Sequence, residues 1–484
     1  MTPENRMAPG EREPRTKIVC TVGPSSREIR TLARMAEAGM DLARVNTGHC
    51  DIGEMREYIQ ETKKLEGETG RRVGVMLDLQ GPRLRVGSVR GSCVELSPGQ
   101  EFVITTEQKR GDAERVSVSY QGLPGDVEPG DTIFMDDGRI RMNVKDVAGT
   151  EILCDVVEGG ELSQGKGMNF PDSNLRLPAF TDRDRHYLEA GLEAGIDWVS
   201  QSFVRTPDDV RKLKEVLESL GSQVPVMAKV EKRDAVKNID AILEVADGIM
   251  VARGDLGVEM NPEDVPLVQK DLIKKAIRAA RPVLTATQML ESMVDHSRPT
   301  RAEASDVANA ILDGTDSIML SAETAIGAYP VKAVEMMARV ASRAEEAIDY
   351  DRLLEERGRW AHRSAADAIG FSACKIAADL GADALIPITR SGYTARVVAR
   401  YRPRARIIAV SPNREVVERM SLVWGVSSLV MPQIADSLWQ TVRDVARVCV
   451  RNGFVTSGDL VVMIGGFLQE ETGTTNVVHV HTVE

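Results

Sequence analysis

The sequence predicts an α/β protein: a (β/α)8 TIM barrel with an inserted small β-barrel lid domain and a C-terminal α/β sandwich domain. Three observations support this prediction. The chain has 484 residues, which is more than one hydrophobic core usually serves. Eight short apolar or β-branched runs are each followed by a segment of helical period. This alternation is interrupted once, by a stretch of strand-like runs with turns between them.

The eight runs that we interpret as barrel strands are separated by helical segments of similar length. They span residues 17–23, 41–46, 73–79, 198–203, 224–231, 248–253, 282–288 and 317–324. Repeated βα units predict a parallel sheet, and eight of them fit a closed barrel with its catalytic groups where strands end and βα loops begin. An open doubly wound sheet is the structural alternative. We assign residues 16–86 and 178–350 to the barrel.

The remaining segments predict a tail and two further domains. Residues 1–15 are mostly polar, lack the apolar core of a signal sequence, and predict a mobile N-terminal tail. Residues 87–177 contain alternating strand-like runs separated by Gly, Pro and Asp turns, which predict an inserted all-β domain. A charged stretch follows residue 350, and residues 364–484 again alternate apolar runs with helical segments, which predicts a separate α/β domain.

The composition argues against several functional classes. No stretch approaches the ~18 to 20 unbroken apolar residues of a membrane-spanning helix. The formal net charge of -12 disfavours binding to nucleic acid or to anionic lipid. The six cysteines are scattered without C-x-x-C spacing, which predicts reduced thiols in a cytoplasmic protein rather than a zinc site or a disulfide framework.

Polar residues cluster at the carboxyl ends of six predicted strands. They are Arg44, Asn46, Asp78, Lys229, Glu231, Arg253, Asp255, Thr287, Gln288, Ser321 and Glu323. In a closed parallel barrel these ends meet at one mouth. A single charged residue at a strand end is more often part of an ion pair or of the surface. Six such clusters on separate strands favour a functional site.

Lys229 and Glu231 lie two residues apart on one predicted strand and therefore share a face, and Asp255 follows the next strand. Two carboxylates beside a lysine predict a site for a divalent cation, Mg²⁺ or Mn²⁺, together with a phosphate group. Two alternatives stay open at this point. The three residues could form an ion network that only holds the barrel, or Lys229 could form a Schiff base as in aldolase-type barrels.

Longer motifs resemble the pyruvate kinase family, in the family's order and spacing. They are TKIVCTVGPSS, MLDLQGPRLR, AKVE, MVARGDLGVE, ATQMLESM, RPTRAEASDVANAILDGTDSIMLSAETAIGAYP and GTTN. The resemblance covers nearly the whole chain from residue 16. It implies transfer of a phosphoryl group from phosphoenolpyruvate to ADP, giving pyruvate and ATP in the last step of glycolysis. It also implies a divalent metal and a cytoplasmic homotetramer.

The resemblance implies roles for residues at the barrel mouth. Glu231 and Asp255 would ligate the metal, and Lys229 would stabilise the phosphoryl group during transfer. Arg44 would hold the substrate phosphate. The remaining substrate contacts would come from the backbone at Gly254 and Asp255, which binds the carboxylate, and from Thr287. The water that protonates the enolate would be organised by Thr287, Gln288, Ser321 and Glu323.

The nucleotide side of the site is also implied by the resemblance. Asn46, Arg85 and Lys166 would contact the nucleotide. The inserted domain joins the barrel at two places and would close over the mouth as a lid that excludes water. Arg85 and Lys166 could otherwise be ordinary surface cations, and the inserted domain a static spacer.

Two segments depart from the family pattern. In many members, R-x-N-F-S-H-G and D-T-K-G-P-E hold a potassium ion beside the substrate phosphate. Here Gly48 stands at the serine position, Leu79 at the threonine position and Arg83 at the glutamate position. A guanidinium in place of a carboxylate reverses the local charge, so we expect Arg83 to replace potassium, as a lysine does in the potassium-independent branch that the pattern resembles. The alternative is that Arg83 pairs with Asp78 or faces solvent.

The C-terminal domain contains a candidate effector site. The segment ITRSGYTARVVARYRP places hydroxyl and N–H groups before a predicted helix, at Thr389, Ser391, Gly392 and Thr394. Such groups can cradle a phosphate, and the family binds phosphorylated effectors here, with GGFLQEETGTTN (465–476) nearby. An ordinary helix N-cap explains the same residues.

Two other functions compete with phosphoryl transfer. One is a magnesium-dependent aldolase or lyase acting on an enolate, which a borohydride trap on Lys229 with pyruvate would expose. The other is a non-catalytic paralogue that only binds a phosphate effector. Arg85 and Lys166 argue against the lyase, and the intact set of Lys229, Glu231, Asp255 and Thr287 argues against the paralogue.

Overall fold

The computed structural model describes residues 14–360, 364–434, 437–466 and 475–484. Nearly all of the predicted N-terminal tail and most of the segment 465–476 therefore lie outside the described residues. No helix in the described ranges combines the length and the apolar character that a bilayer crossing requires.

The chain begins a barrel with three parallel strands. The elements are β1 (Lys17–Thr21), α1 (Ile29–Glu37), β2 (Leu42–Asn46), α2 (Ile52–Thr69) and β3 (Gly74–Leu79). Helix α2 begins at a capping box, in which the side chain of Asp51 accepts from Glu54 N and the side chain of Glu54 accepts from Asp51 N. It ends at Gly70, whose φ of 70° favours glycine.

An all-β region follows β3. Its strands are β4 (Cys93–Leu96), β5 (Glu101–Thr105), β6 (Arg115–Ser117), β7 (Thr132–Met135), β8 (Ile140–Ala148), β9 (Glu151–Glu158), β10 (Gly160–Ser163) and β11 (Met168–Asn169). They form a six-stranded sheet in the order β11-β7-β8-β9-β5-β6 and a β10-β4 pair. Alternate side chains of these strands, such as Phe102, Ile104 and Met142, are buried in a core of their own.

The chain then returns to the barrel. The elements are α3 (Asp182–Ala194), β12 (Trp198–Gln201), α4 (Pro207–Ser219), β13 (Val226–Val230), α5 (Arg233–Lys237), α6 (Ile239–Val245), β14 (Gly248–Ala252), α7 (Arg253–Glu259), α8 (Val265–Arg278), β15 (Val283–Ala286), α9 (Arg301–Leu312), β16 (Ser317–Leu320), α10 (Ala322–Ala325), α11 (Pro330–Glu346) and α12 (Tyr350–Gly358). Each barrel strand lies within its predicted range.

The eight strands close into a parallel barrel in the order β1-β16-β15-β14-β13-β12-β3-β2. The predicted barrel is confirmed, and the open doubly wound sheet is wrong. Strand β3 pairs directly with β12, from Met76 opposite Trp198 to Leu79 opposite Gln201, so the insertion does not interrupt the ring. Because all strands run parallel, their carboxyl ends meet at one mouth.

A second sheet forms the C-terminal region. Its elements are α13 (Ala365–Leu380), β17 (Ala384–Pro387), α14 (Tyr393–Ala399), β18 (Arg406–Ser411), α15 (Arg414–Arg419), β19 (Val426–Val430), α16 (Leu438–Arg451), β20 (Leu460–Gly465) and β21 (Val477–Thr482). The strand order is β19-β18-β17-β20-β21, with β21 antiparallel to β20. Apolar clusters on both faces of this sheet produce the predicted α/β sandwich.

Candidate active site

Lys229, the fourth residue of β13, is buried at the barrel mouth. Its ammonium donates to Ser202 Oγ at 2.7 Å and lies 2.8 Å from Glu231 Oε1 and 3.4 Å from Asp78 Oδ1. Burial acts to lower the pKa of Lys229, but the carboxylates of Asp78 and Glu231 outweigh it and hold that pKa above its ordinary value. The site therefore contains a fixed positive charge.

Asp78, near the end of β3, joins this lysine to Arg44 on β2. Asp78 Oδ2 accepts from Arg44 Nε at 2.7 Å and also contacts Arg44 Nη2, while Oδ1 accepts from Ser200 Oγ at 2.6 Å. Arg44 Nη1 also donates to Thr21 Oγ1 at 2.9 Å. Burial acts to raise the pKa of Asp78, but the charges of Lys229 and Arg44 hold it below its usual range. Asp78 thus stays ionised and orients both cations.

Glu231 and Asp255 are the two predicted metal ligands. Glu231 Oε2 accepts from Phe203 N at 2.8 Å, and the backbone at Phe203 is left-handed, with φ 57°. Burial, and then the charge of Glu231, raise the pKa of Asp255 to about 6. Two carboxylates that repel each other in a buried site favour a cation between them.

This donor set fits Mg²⁺ or Mn²⁺. Such hard cations bind to one or two protein carboxylates and complete their shell with water and substrate oxygens. In the part of the chain that the structure describes, no group of three or more His, Cys, Asp or Glu residues is arranged to hold a metal. A metal held by Glu231 and Asp255 would therefore keep positions open for substrate.

Gly254 and Thr287 belong to two neighbouring strand ends. Gly254 N donates to Thr287 Oγ1 at 2.8 Å, and a Cβ added at Gly254 would lie 3.3 Å from the same oxygen. Thr287 and Gln288 both have left-handed backbones, with φ 70° and 54°. Strain of this kind concentrates at functional sites, where the surrounding contacts maintain it.

The four residues expected to organise a water differ in their hydrogen bonds. Glu323 accepts from Leu290 N at 3.0 Å and from Ser321 N at 2.6 Å, so both of its oxygens bind backbone. Burial raises its pKa. By contrast, Ser321 Oγ is buried and has no hydrogen-bond partner among the described atoms. Ser321 is therefore better placed than Glu323 to hold a water. The Thr287 hydroxyl, in contrast, accepts from Gly254 N and donates to Ala286 O at 2.7 Å.

Three predicted phosphate-side cations lie between the barrel and the inserted region. Lys166 Nζ is 2.7 Å from Asp136 Oδ1, Arg83 Nη2 is 3.3 Å from Asp137 Oδ1, and Arg85 Nη1 donates to Gly165 O at 2.9 Å. The partner of Arg83 is thus an exposed carboxylate of the inserted region. The alternative that Arg83 pairs with Asp78 is wrong, because Arg44 and Lys229 bind Asp78.

Asn46 has a local role in this structure. Its Oδ1 accepts from Gly48 N at 3.0 Å, which closes the turn after β2. Next to this turn, burial and the nearby Arg44, Arg85 and Arg83 lower the pKa of His49. This side of the mouth therefore carries several cations, namely Arg44, Arg83 and Arg85.

The end of β12 also belongs to the site, although none of its residues is among those predicted from the sequence. Ser200 donates to Asp78, Ser202 accepts from Lys229 and donates to Leu79 O at 2.8 Å, and Phe203 N donates to Glu231. The signal is present in WVSQSF, where hydroxyl residues alternate along an otherwise buried strand.

The candidate effector residues in the C-terminal domain mainly bind each other. Thr389 Oγ1 accepts from Gly392 N at 2.9 Å, and the hydroxyls of Thr394 and Thr475 are 2.8 Å apart. Gly392 has φ 78°, and a Cβ there would lie 2.5 Å from Met420 Cε. Ser391 is exposed. Local loop bonding thus accounts for Thr389 and Thr394 without a ligand.

The chain is similar to known proteins both in sequence and in structure. A family model described as pyruvate kinase, barrel domain, matches residues 13–334, and one described as pyruvate kinase, alpha/beta domain, matches residues 367–481. The chain is 43% identical to the pyruvate kinase of Bacillus licheniformis over 472 residues, which are 97% of this chain and 80% of that protein. It is 42% identical over 473 residues to that of Staphylococcus aureus strain MRSA252, with the same coverage. A crystal structure of a pyruvate kinase from Cryptosporidium parvum matches with a TM-score of 0.91 at 35% identity, covering 97% of this chain and 96% of that one.

Proposed function

The chain belongs to the pyruvate kinase family and is a phosphotransferase, and from this premise we propose that it makes pyruvate and ATP from phosphoenolpyruvate and ADP as a glycolytic enzyme. The observation that supports this proposal most is the position of Lys229. Its ammonium lies 2.8 Å from the carboxylate of Glu231, at the end of the same strand, and 3.4 Å from that of Asp78 on β3. A buried ammonium group next to carboxylates is suited to stabilising a phosphoryl group during transfer rather than to holding the barrel together.

The transfer breaks the bond between the phosphorus and the enol oxygen of phosphoenolpyruvate and forms a bond from phosphorus to a β-phosphate oxygen of ADP. Arg44, oriented by Asp78, holds the phosphate. Lys229, kept charged by Asp78 and Glu231, offsets the charge on the phosphoryl oxygens as they move. Arg85 and Lys166 bind the nucleotide phosphates, and closure of the inserted domain excludes water.

A Mg²⁺ or Mn²⁺ ion held by Glu231 and Asp255 would supply positive charge beside the substrate's phosphate and enolate oxygens. The backbone at Gly254 and Asp255, together with Thr287, orients the substrate carboxylate. After transfer, the methylene carbon of the enolate takes a proton. We assign the donor to a water held by Ser321 Oγ, because this hydroxyl has no hydrogen-bond partner among the residues that the structure describes.

We propose that the reaction requires no potassium because Arg83 supplies the monovalent charge. Arg83 is close enough to Asp255 to lower its pKa, against the effect of burial, and to lower that of His49. Its partner Asp137 is 76% exposed in its side chain and is readily exchanged for a phosphate. The charge of Arg83 is therefore available to the substrates.

We further propose a cytoplasmic homotetramer that responds to a phosphorylated effector, bound by the exposed Ser391 and by Thr389, Gly392 and Thr394 after the loop rearranges. Strand β21 is the edge of its sheet and leaves backbone groups available for pairing with a second copy. Light scattering coupled to size exclusion is expected to give about four times the 52.9 kDa chain mass.

The deciding experiment is a coupled assay of pyruvate formation with phosphoenolpyruvate, ADP and Mg²⁺. It is run in parallel with potassium and with a bulky organic cation in its place. Equal rates support the kinase and the role of Arg83. Activity only with potassium keeps the kinase and removes the role of Arg83. No activity in either medium overturns the proposed reaction and favours the lyase or the non-catalytic paralogue.

A further inference from the structure

The loop that follows β15 has an unusual backbone conformation. Thr287 and Gln288, the first two residues after Ala286, have positive φ angles of 70° and 54°. A β-branched residue such as Thr287 is rarely found in this left-handed region, because its Cβ comes too close to a carbonyl oxygen there. The conformation therefore has to be maintained by contacts from the surrounding structure.

Arg253 supplies such contacts from the neighbouring strand. Strands β14 and β15 pair with Ala252 opposite Ala286, so the next residues, Arg253 and Thr287, leave the two strands side by side. Arg253 Nη2 donates to Thr287 O at 2.8 Å and to Gln288 O at 3.4 Å. One guanidinium group thus binds the carbonyl oxygens of both left-handed residues.

Asp306, on helix α9, holds the guanidinium of Arg253 in this position. Arg253 Nη1 lies 2.8 Å from Asp306 Oδ1 and 2.7 Å from Asp306 Oδ2. The carboxylate binds one nitrogen of the planar group and the loop binds another, so the guanidinium fixes their relative positions. A lysine ammonium carries the same charge but does not have this forked geometry.

A carboxylate from the other neighbouring strand holds the far end of the same loop. Glu323, which follows β16, is buried, and its Oε1 accepts from Leu290 N at 3.0 Å while its Oε2 accepts from Ser321 N at 2.6 Å. Residues 287–290 are therefore bound through carbonyl oxygens by a cation at one end and through an N–H group by an anion at the other. Both strands next to β15 thus contribute to the conformation of its loop.

We propose that Arg253 and Asp306 are positioning residues for the substrate carboxylate, and that they act through Thr287. This inference rests on the proposed function, in which Thr287 and the backbone at Gly254 and Asp255 bind that carboxylate. Gly254 N donates to Thr287 Oγ1 at 2.8 Å, so a displacement of Thr287 also disturbs this backbone. The Nη groups of Arg253 are bound by Asp306 and the loop, and its Nε is buried, so the guanidinium acts on the substrate only through the loop.

The proposal predicts a dependence on the chemistry of the ligand. Like phosphoenolpyruvate, 2-phosphoglycolate carries a phosphate and a carboxylate on neighbouring carbon and oxygen positions, whereas inorganic phosphate carries no carboxylate. Loss of the Arg253 contact should therefore weaken binding of 2-phosphoglycolate and leave binding of inorganic phosphate unchanged. General damage to the mouth would weaken both ligands.

Steady-state kinetics of three variants tests the proposal. Arg253→Lys keeps the charge but cannot bind the carboxylate and both carbonyl oxygens at once, and Asp306→Asn keeps an acceptor for Nη1 without its charge. The matched control is Arg72→Lys, because Arg72 lies before β3 at the opposite end of the barrel and pairs with Glu66 at 2.8 Å. The measured quantities are kcat, the KM values for phosphoenolpyruvate and ADP, and the inhibition constants of 2-phosphoglycolate and inorganic phosphate. Thermal unfolding verifies that each variant folds.

We expect Arg253→Lys to raise the KM for phosphoenolpyruvate and the inhibition constant of 2-phosphoglycolate about tenfold, with kcat changed less than about threefold. The KM for ADP and the inhibition constant of inorganic phosphate should stay within about twofold of their original values. Asp306→Asn should change the same two constants about threefold, and the double variant about tenfold rather than about thirtyfold, because both residues act through one contact. Arg72→Lys should match the unaltered enzyme.

Three results would overturn the proposal. They are an unchanged KM for phosphoenolpyruvate in Arg253→Lys, equal weakening of 2-phosphoglycolate and inorganic phosphate, and a double variant whose effect is the product of the single effects. If Arg253→Lys does not fold, Asp306→Asn decides alone by the same two constants, since the Asp306 side chain is 41% exposed and its loss is tolerable.

Hydrogen exchange followed by mass spectrometry separates this proposal from the proposed reaction. Peptides that contain residues 287–290 should exchange faster in Arg253→Lys and Asp306→Asn than in the unaltered chain, and at the original rate in Arg72→Lys. Unchanged exchange in the first two variants would show that Arg253 does not hold the loop. Because exchange needs no turnover, an unaltered chain that makes no pyruvate would refute the proposed reaction while the anchoring of the loop is still measured.

Discussion

The two ends of the barrel use aspartate in opposite ways. At the amino-terminal end, four aspartates each accept a hydrogen bond from the backbone N–H of a barrel strand. These bonds, of 2.7 to 3.0 Å, join Asp41 to Ile18, Asp197 to Val75, Asp247 to Val226 and Asp316 to Val283. Each of these carboxylates also has a cationic partner, namely Lys17, Lys63, Lys214 and Arg402 respectively. They hold strand ends in place and have little capacity left for a ligand.

At the mouth, the charges face one another instead. Asp78 binds two cations and a serine hydroxyl, and the Asp255 carboxylate accepts no hydrogen bond from the described residues. Residue type is therefore a poor guide to function in this barrel. An aspartate that binds both a strand N–H and a cation is structural here, whereas Asp255, which accepts no hydrogen bond from the described residues, is available for chemistry.

The largest effect that tests this contrast is expected from Lys229→Met. This variant should fold normally and lose at least about a thousandfold in kcat, because its charge acts in the transition state. Lys63→Met, which removes the cationic partner of Asp197 at the other end, should lower the melting temperature and leave kcat nearly unchanged. Steady-state kinetics and thermal unfolding of both variants provide the comparison. Near-normal activity in Lys229→Met would contradict the assignment of that lysine.

The next largest effect is expected at Arg83, whose positive charge is proposed to replace potassium. Arg83→Gln should reduce kcat/KM about ten- to a hundredfold with or without potassium, because a fixed cation near the phosphate is lost. Arg83→Glu, which restores the family's acidic residue, should make the residual activity depend on potassium. Arg139→Gln is the control, since Arg139 lies in the turn that also contains Asp137, the partner of Arg83. Arg139 pairs with Asp136 and is 79% exposed in its side chain. Equal rates for Arg83→Gln and the unaltered enzyme would remove Arg83 from the site.

A smaller effect is expected at the end of β12. Ser202→Ala removes an acceptor of Lys229 and should lower kcat about tenfold with little change in KM, since the lysine is misplaced rather than lost. Ser202→Thr, which keeps the hydroxyl, should recover most of the rate. Ser317→Ala, at the amino-terminal end of β16, is the counterpart and should leave kcat unchanged. Equal losses in the Ala and Thr variants would indicate a packing effect instead.

The smallest effect on activity is expected for substitution of Asp197, because this residue contributes to stability rather than to catalysis. Burial raises the pKa of Asp197 to about 6, against the attraction of Lys63. Between about pH 4 and pH 6 the folded chain therefore holds more protons than the unfolded chain, so this group's contribution to the free energy of unfolding falls as pH rises through 6.

The variant Asp197→Asn should remove this fall while keeping an oxygen that can accept from Val75 N. As pH rises from 4 to 7, the melting temperature of the variant should therefore rise relative to that of the unaltered protein. The value of kcat should be the same for both proteins at each pH. Parallel melting curves for the two proteins across this range would contradict the raised pKa.

Much of the candidate site was predictable from the order of residues along the chain. Lys229, Glu231 and Asp255 follow predicted strands, and a closed parallel barrel necessarily brings strand ends to one mouth. The partners of these groups were not predictable. Glu323 was expected to help hold a water, but its oxygens bind backbone N–H groups, while Ser202 was overlooked within WVSQSF.

The sequence by itself determined the eight barrel strands, the all-β insertion, the C-terminal sandwich and the family, because periodicity and motifs depend on residues close together in the chain. Only the tertiary structure decided that Arg83 pairs with Asp137 rather than Asp78, and that Ser202 contacts Lys229 at the mouth. The partners in such contacts are far apart in sequence, 54 positions in the case of Arg83 and Asp137. Local pattern does not encode which distant charge will lie nearest, since that depends on how the closed barrel and its neighbouring domains pack.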